Sequence, residues 1–365
     1  MTEAAQLERN DPRIVTKERL EGNVQRWRRF GEPTPAGQSL KEDGTPDYGL
    51  FGPESVVWEV LLQPATIVFQ YAFQGLMQST YRPVIAGVRD YDPLSRKTLK
   101  GTVTFFDLFE RGQRNSGMHA PMWLGDTESA ERMWKHLKQI HTKVAGDIID
   151  VGEPELGGYA AAGPRDAMWA ALTEMHSMLW LYENLAFRDG KLPHKLTPEK
   201  RDRYFAEVAA YCRLVGAPEE EIPHSKADLD ALYEKYAHLF GTPATMAIWP
   251  DTGEDFAKQM FGLFKTNFHR SQLPALWYAG ILDHGLFRQL AAGASSGKMR
   301  QSMGMGPIRS WFAVLGAKLA LPFVWVMQRG RFERHYMRLM WGPDGVTLIQ
   351  AARQLQNQAT GKKYR

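Results

Sequence analysis

Between residues 60 and 81 the chain runs for 22 residues without a charge, VLLQPATIVFQYAFQGLMQSTY. A run this long and apolar is a membrane span or a helix buried inside a protein, and its length permits either. Gln63, Gln70, Gln74 and Gln78 fall on one helical face. Four amides are costly in lipid but useful on the wall of an internal pocket. The run is therefore read as a buried helix, with Pro64 suited to its first turn. Such a helix must be wrapped by others. The stretch 164–187, PRDAMWAALTEMHSMLWLYENLAF, is also apolar almost all round. Met168, Leu172, Met175, Leu179 and Tyr182 form its main stripe, which predicts a helix at the centre of a bundle.

The remaining long segments follow the same 3.6-residue period. Residues 197–240 read as two helices, the first ended by Gly216-Ala217-Pro218 and the second capped by Ser225, with Asp228 at the capping-box position. No run of alternating β-branched residues marks a strand. The expectation is an all-α fold, a single large helical domain over 49–297. It is preceded by a Pro- and Gly-rich arm over 1–48 and followed by a basic, apolar helical segment over 298–365.

The net charge of +4 hides an asymmetry. From Lys298 onward there are twelve Lys or Arg against two acids, Glu333 and Asp344, so the rest of the chain is net acidic. The segment 308–341 is apolar, interrupted by Lys318 and Pro322, and followed by Arg329, Arg331, Arg334 and Arg338. Two readings stand: a helix lying on a membrane surface through 298–341, or a helix covering the core with a solvated basic end. No nucleic-acid recognition pattern accompanies these arginines, and no nucleic-acid partner is expected. The single cysteine, Cys212, cannot form an intrachain disulfide, and the polar start MTEAAQLERNDPRIVTKERLEG has no apolar signal region. A cytoplasmic location, with or without membrane association, is expected. An oligomer is compatible with the sequence.

Most catalytic motifs are missing. Phosphate-cradling loops, HExxH, paired-cysteine zinc sites and a GxSxG elbow do not occur. Glu221-x-x-His224 has di-iron spacing but contains Pro223 and reads as a loop. A metal would therefore arrive inside a cofactor that needs only one or two protein ligands. One helix offers such a ligand. In WLGDTESAERMWKHLKQIHTKVAG (123–146), Ala130, Trp134, Leu137, Ile140 and Val144 share an arc of about 120°. His141 lies inside that arc. Asp126 or Thr127 supplies the N-cap and Gly146 the stop. A neutral imidazole on an apolar face needs a partner, either a carbonyl, as in an ordinary core histidine, or a metal such as haem iron.

Three blocks, GLFGPESVVWEVLLQPATIVFQYAFQGLMQSTYRPVIAGV (49–88), GDTESAERMWKHLKQIHTKVAG (125–146) and RYFAEVAAYCRLVGAPEEEIPHSKADLDALY (203–233), together resemble the MpaB/latex-clearing-protein oxygenase family over roughly 49–290. The resemblance implies a helical fold around one b-type haem with its iron. It also implies O2-dependent oxidation of a hydrophobic small molecule, including cleavage of isoprenoid double bonds. It matches His141 to the family's proximal haem ligand, with Trp134, Leu137, Met168, Met175 and Gln74 placed around the cofactor. It further implies basic residues and a threonine on the helix before, on the distal side. The matching stretch, DPLSRKTLKGTVTFFDLF, offers Arg96, Lys97 and Lys100, with Thr98 or Thr102. Residues 110–122 look longer than the family's usual link. Two positions depart from the pattern: Arg82-Pro83 stands where relatives often have His-Pro, and Trp169-Ala170-Ala171 where many have Trp-x-His. If the missing histidine serves the distal chemistry, two readings stand: His176, five residues on, takes its place, or the chain runs a different reaction. The expected function is a haem b oxygenase acting on an isoprenoid- or lipid-like substrate. The rival is a non-catalytic helical haem- or lipid-binding protein docked on membrane surfaces.

Overall fold

The uncharged run folds as two helices in the computed structural model, which describes residues 11–23 and 27–361. Residues 1–10, 24–26 and 362–365, among them the tail cations Lys362, Lys363 and Arg365, lie outside the described residues. Ser55 caps α1 (Val56–Leu61), its hydroxyl accepting from the Trp58 N–H. The chain breaks at Leu62 and Gln63, and Pro64 opens α2 (Pro64–Gln78), which is buried along nearly its whole length. Gln63 stands ahead of the helix as its N-cap residue rather than on its face. Among the described residues no single helix is long and apolar enough to cross a membrane. The expected buried helix is what forms.

Two short helices follow, α3 (Arg82–Tyr91) and α4 (Pro93–Leu99). Arg82, the departure from His-Pro, opens α3 and lies 2.9 Å from Glu153 and 3.8 Å from Asp150, tying the helix to the 150s loop. Arg89 is fully buried and donates to the carbonyls of Ile148 and Ile149, with Asp90 pairing its charge. The next helix, α5 (Phe105–Leu124), has 20 residues and absorbs the extra length expected at 110–122. A capping box starts it. The Asp107 N–H points to the Thr104 hydroxyl, and the Asp107 carboxylate accepts from the Thr104 N–H at 2.8 Å. Thr104→Ala is expected to lower stability by about 1 kcal/mol, read as a lower urea midpoint with an unchanged slope.

The histidine helix, α6, spans Thr127–His141, starting where expected but ending earlier. Asp126 is the N-cap, accepting from the Ser129 N–H. The helix stops at His141, not at Gly146. Ala145–Gly146 instead pairs with Tyr159–Ala160 in a two-residue antiparallel ladder. A short ladder was not anticipated, but the all-α reading stands. Ile140, placed on the apolar stripe by periodicity, is 44% exposed. The fully buried apolar part of the stripe is Ala130, Met133 and Trp134, with Leu137 and Val144 half-buried against the core.

α7 (Pro164–Leu185) is the central helix, buried on all sides and packed along α2. α8 (Pro198–Val215) ends on left-handed Gly216, and α9 (Lys226–Lys235) is capped by Ser225. The Asp228 carboxylate accepts from the His224 N–H rather than from the Ser225 N–H, one residue off a true capping box. Cys212 is buried within α8, and burial pushes its thiol up to about 12. A π-helical stretch, Leu276–Phe287, leads directly into α10 (Arg288–Ala294). α11 (Pro307–Leu319) and α12 (Leu321–Met327) follow, then α13 (Gly330–Thr360), which packs along α5. α13 kinks at Gly342 (φ 71°), where a Cβ would meet the Trp27 ring at 2.5 Å, so only glycine allows both the bend and the contact. The Trp341 N–H donates to the Ile67 carbonyl at 2.9 Å and anchors this helix to α2.

Candidate active site

Four helices converge on a small set of polar groups in the apolar interior. α6 contributes His141, its last residue, half-buried beside Trp134, whose ring meets the imidazole edge-on at 6.5 Å. Burial, with a further push from the charge of His119, drives His141 down to about 4, so its imidazole is neutral near pH 7. Among the described residues no hydrogen bond is made by its ring nitrogens, so the unprotonated nitrogen keeps its lone pair free.

α5 contributes His119, which is buried. Its Nδ1 lies 2.7 Å from the Asn115 carbonyl oxygen and its Nε2 lies 2.7 Å from Glu174 Oε1 on α7. Burial alone would lower this group. The adjacent Glu174 carboxylate and the Asn115 carbonyl outweigh it, and the net shift is upward. The Nδ1 contact is a hydrogen bond, whereas Nε2 stands at ion-pair distance from Glu174 Oε1, a buried oxygen that has no hydrogen-bond partner. The second Glu174 oxygen accepts from the Tyr211 hydroxyl of α8 at 3.1 Å, and burial first, then Glu174, raises that phenol well above its ordinary value. A neutral imidazole therefore lies near a buried histidine–carboxylate–phenol cluster in which opposite charges can compensate one another.

The glutamines of α2 close the neighbouring wall. The Ser116 hydroxyl donates to Gln70 at 3.0 Å, and Gln70 donates to Asn115 at 3.1 Å and to Gln74. Gln74 in turn reaches Gln78 at 3.4 Å, and Gln78 donates to the Ala170 carbonyl at 3.3 Å. The amides thus pair with one another and with their neighbours across α5 and α7. Gln74 spends its side chain on this ladder.

The other expected site residues are spread more widely. Trp134 is buried next to His141, and Leu137 is half-buried on the same helix. Met168 and Met175 are fully buried on α7. Arg96 and Lys100 are exposed on and just after α4, and Lys97 pairs with Asp107 at the start of α5. The helix immediately before α6 is α5, so these three cations sit one element earlier than the resemblance implied. Thr98 is buried and donates to the Leu94 carbonyl at 2.8 Å, while Thr102 is exposed. His176 lies two residues, or about 200°, round α7 from Glu174. It occupies an aromatic box of Trp180, Phe205 and Tyr233, with Nδ1 3.1 Å from the Tyr233 hydroxyl. Burial, then the charge of Lys226, pushes it down to about 3. Ala171 is buried and brings no polar group.

Sequence reasoning missed His119, Glu174 and Tyr211. One signal was available: a carboxylate in the middle of a helix that is apolar almost all round, as Glu174 is, requires a buried cation or donor. It could not say which helix supplies that partner. Among the described residues no group of three or more His, Cys, Asp or Glu side chains is placed to hold a metal ion.

The model of one family, described as "ER-bound oxygenase mpaB/B'/Rubber oxygenase, catalytic domain", matches residues 58–337, which include every helix of this site. No curated protein and no solved structure shows a significant match. With more than half its length matched, this all-α chain belongs to the mpaB/rubber oxygenase catalytic-domain family.

Proposed function

We propose that the protein is a haem b-dependent oxygenase in which His141 would hold the haem iron and the substrate is a hydrophobic, isoprenoid- or lipid-like molecule. The observation that carries this reading is the state of His141: a neutral imidazole with free ring nitrogens, at a helix end, beside a buried tryptophan. Donor chemistry of this kind fits haem, which needs one imidazole and otherwise apolar surroundings. When bound, the haem would supply the binding and activation of O2.

The chain's own residues have narrower tasks. Trp134 restricts the orientation of the His141 ring. His119, at ion-pair distance from Glu174, adds to burial in keeping the ligand histidine neutral. Tyr211 fixes the second Glu174 oxygen. The buried aliphatic and methionine side chains of α7 exclude water, which suits an apolar substrate recognised by shape. This reading gives the polar role near His141 to His119 and Glu174. Arg96, Lys97, Lys100 and His176, which lie elsewhere, are given no step.

The test is an absorption spectrum of the purified protein. A Soret band that appears on isolation or after haem is supplied is expected, with O2 consumed when a reductant and an apolar alkene are added. A protein that takes up no haem would overturn the proposal. One that binds haem but never consumes O2 would leave the rival, a non-catalytic haem carrier.

A further inference from the structure

The geometry points to α11 and α12 as a docking surface for an anionic bilayer, lying in the headgroup layer with their outer face toward the acyl chains. These helices are built inside out for a soluble protein. The side of α11 that packs on α10 is made of small residues: a Cβ on Gly293 would meet the Ala313 carbonyl at 2.2 Å and the Ala317 methyl at 2.6 Å. The large side chains point outward. Ile308 is 73% exposed, Trp311 60%, Phe312 61%, Leu319 72% and Val326 57%. A contiguous apolar surface of this kind marks an interaction site.

Charge selects the occupant. Arg309 and Lys318 on α11 and Arg331, Arg334 and Arg338 beyond α12 are exposed, and among the described residues none forms an ion pair. Arg329 lies over the Trp325 ring at 3.6 Å. The one acid between Lys298 and Trp341 is Glu333, which is buried and paired with Arg353 at 2.6 Å. The face is therefore apolar with a cationic margin and no exposed acid. A second copy would bring like charges together, whereas anionic headgroups complement it. Trp311 and Trp325 are suited to the interface itself. The two helices bend by 49° at their junction, and Lys318 sits just before it, which favours lying in the interface over crossing it.

Full-length protein is sedimented with vesicles of phosphatidylcholine alone or with roughly 30% phosphatidylserine, the anionic lipid supplying the surface potential. Preferential binding to the anionic vesicles is expected. Trp311→Glu with Phe312→Glu should weaken it about tenfold or more with an unchanged circular-dichroism melt, because both side chains are exposed. The triple Arg331→Gln, Arg334→Gln, Arg338→Gln should erase the preference for phosphatidylserine. As a check free of mutation, brominated acyl chains should quench the tryptophan fluorescence of the unaltered protein. Equal binding to both vesicles, absence of quenching, or a Trp311/Phe312 variant that binds vesicles normally while dissociating a dimer in sedimentation velocity would each overturn the proposal, the last in favour of a second copy.

Discussion

His141→Ala protein is expected to lose haem while keeping its fold. His141 ends α6, is half-buried, and among the described residues its ring makes no hydrogen bond, so truncation removes little packing and orphans no partner. The thermal midpoint of the apoprotein should shift by only a degree or two, within the range of an exposed substitution. Haem content, read as Soret absorbance per protein, should fall at least about tenfold, since a protein-supplied axial ligand anchors the iron. Added imidazole should restore part of the band by entering the space the side chain vacated. His176→Ala is the matched control. It removes a buried histidine from the aromatic box of Trp180, Phe205 and Tyr233, so it should lower stability while haem content per folded molecule stays unchanged. If the two variants lost haem equally, the ligand assignment would fail.

Asp283→Asn is expected to stabilise the protein, and more so as pH rises. Asp283 lies in the π-helical stretch and is buried. Its Oδ1 accepts the Tyr336 hydroxyl at 2.6 Å, its Oδ2 has no partner, and among the described residues no cation pairs with it. Burial pushes its carboxyl up from 3.8 to about 8, partly offset by the Tyr336 hydrogen bond. The folded state thus keeps a proton that the unfolded chain releases above pH 4. Between about pH 4 and 8 rising pH favours unfolding by roughly 1.4 kcal/mol per unit, on the order of 4 kcal/mol by pH 7. Below pH 4 both states are protonated and the penalty vanishes. An amide cannot ionise and still accepts from Tyr336. Urea midpoints at about pH 4.5 and pH 7 should show a small gain at the lower value and a large one at the higher. Equal gains at both, or a loss at pH 7, would mean that Asp283 is compensated in some other way.

A site this far from the surface invites the question of how much could be read before folding. Periodicity placed α2 and α7 at the centre correctly, because a helix without charge, or apolar all round, has no stable position except the interior. Capping chemistry narrowed the start of α6 to Asp126 or Thr127, of which Asp126 is the cap, and placed the stop at Gly216, since both depend on single residues and their immediate neighbours. Periodicity was less reliable. It failed at the C-terminal end of α6. Ile140 and Val144 continue the apolar pattern, yet the helix ends at His141 and Ile140 is exposed, because burial depends on a neighbour and not on the stripe. The basic residues of 96–100 are matched by resemblance alone; they lie on and just after α4, with the 20-residue α5 between them and α6.

By itself the sequence determined the helical class, the family, the buried position of the uncharged run and the inward side of the helix that ends in His141. These are properties of spacing along one chain segment or of motifs in order. Only the tertiary structure decided that His119 meets Glu174 across 55 residues of chain, that Tyr211 completes the pair, that His176 belongs to a separate aromatic box, and that the large side chains of α11 face outward. A buried carboxylate announces that it needs a proton or a cation. Which helix brings one is set by packing between distant segments, and no local pattern carries that information.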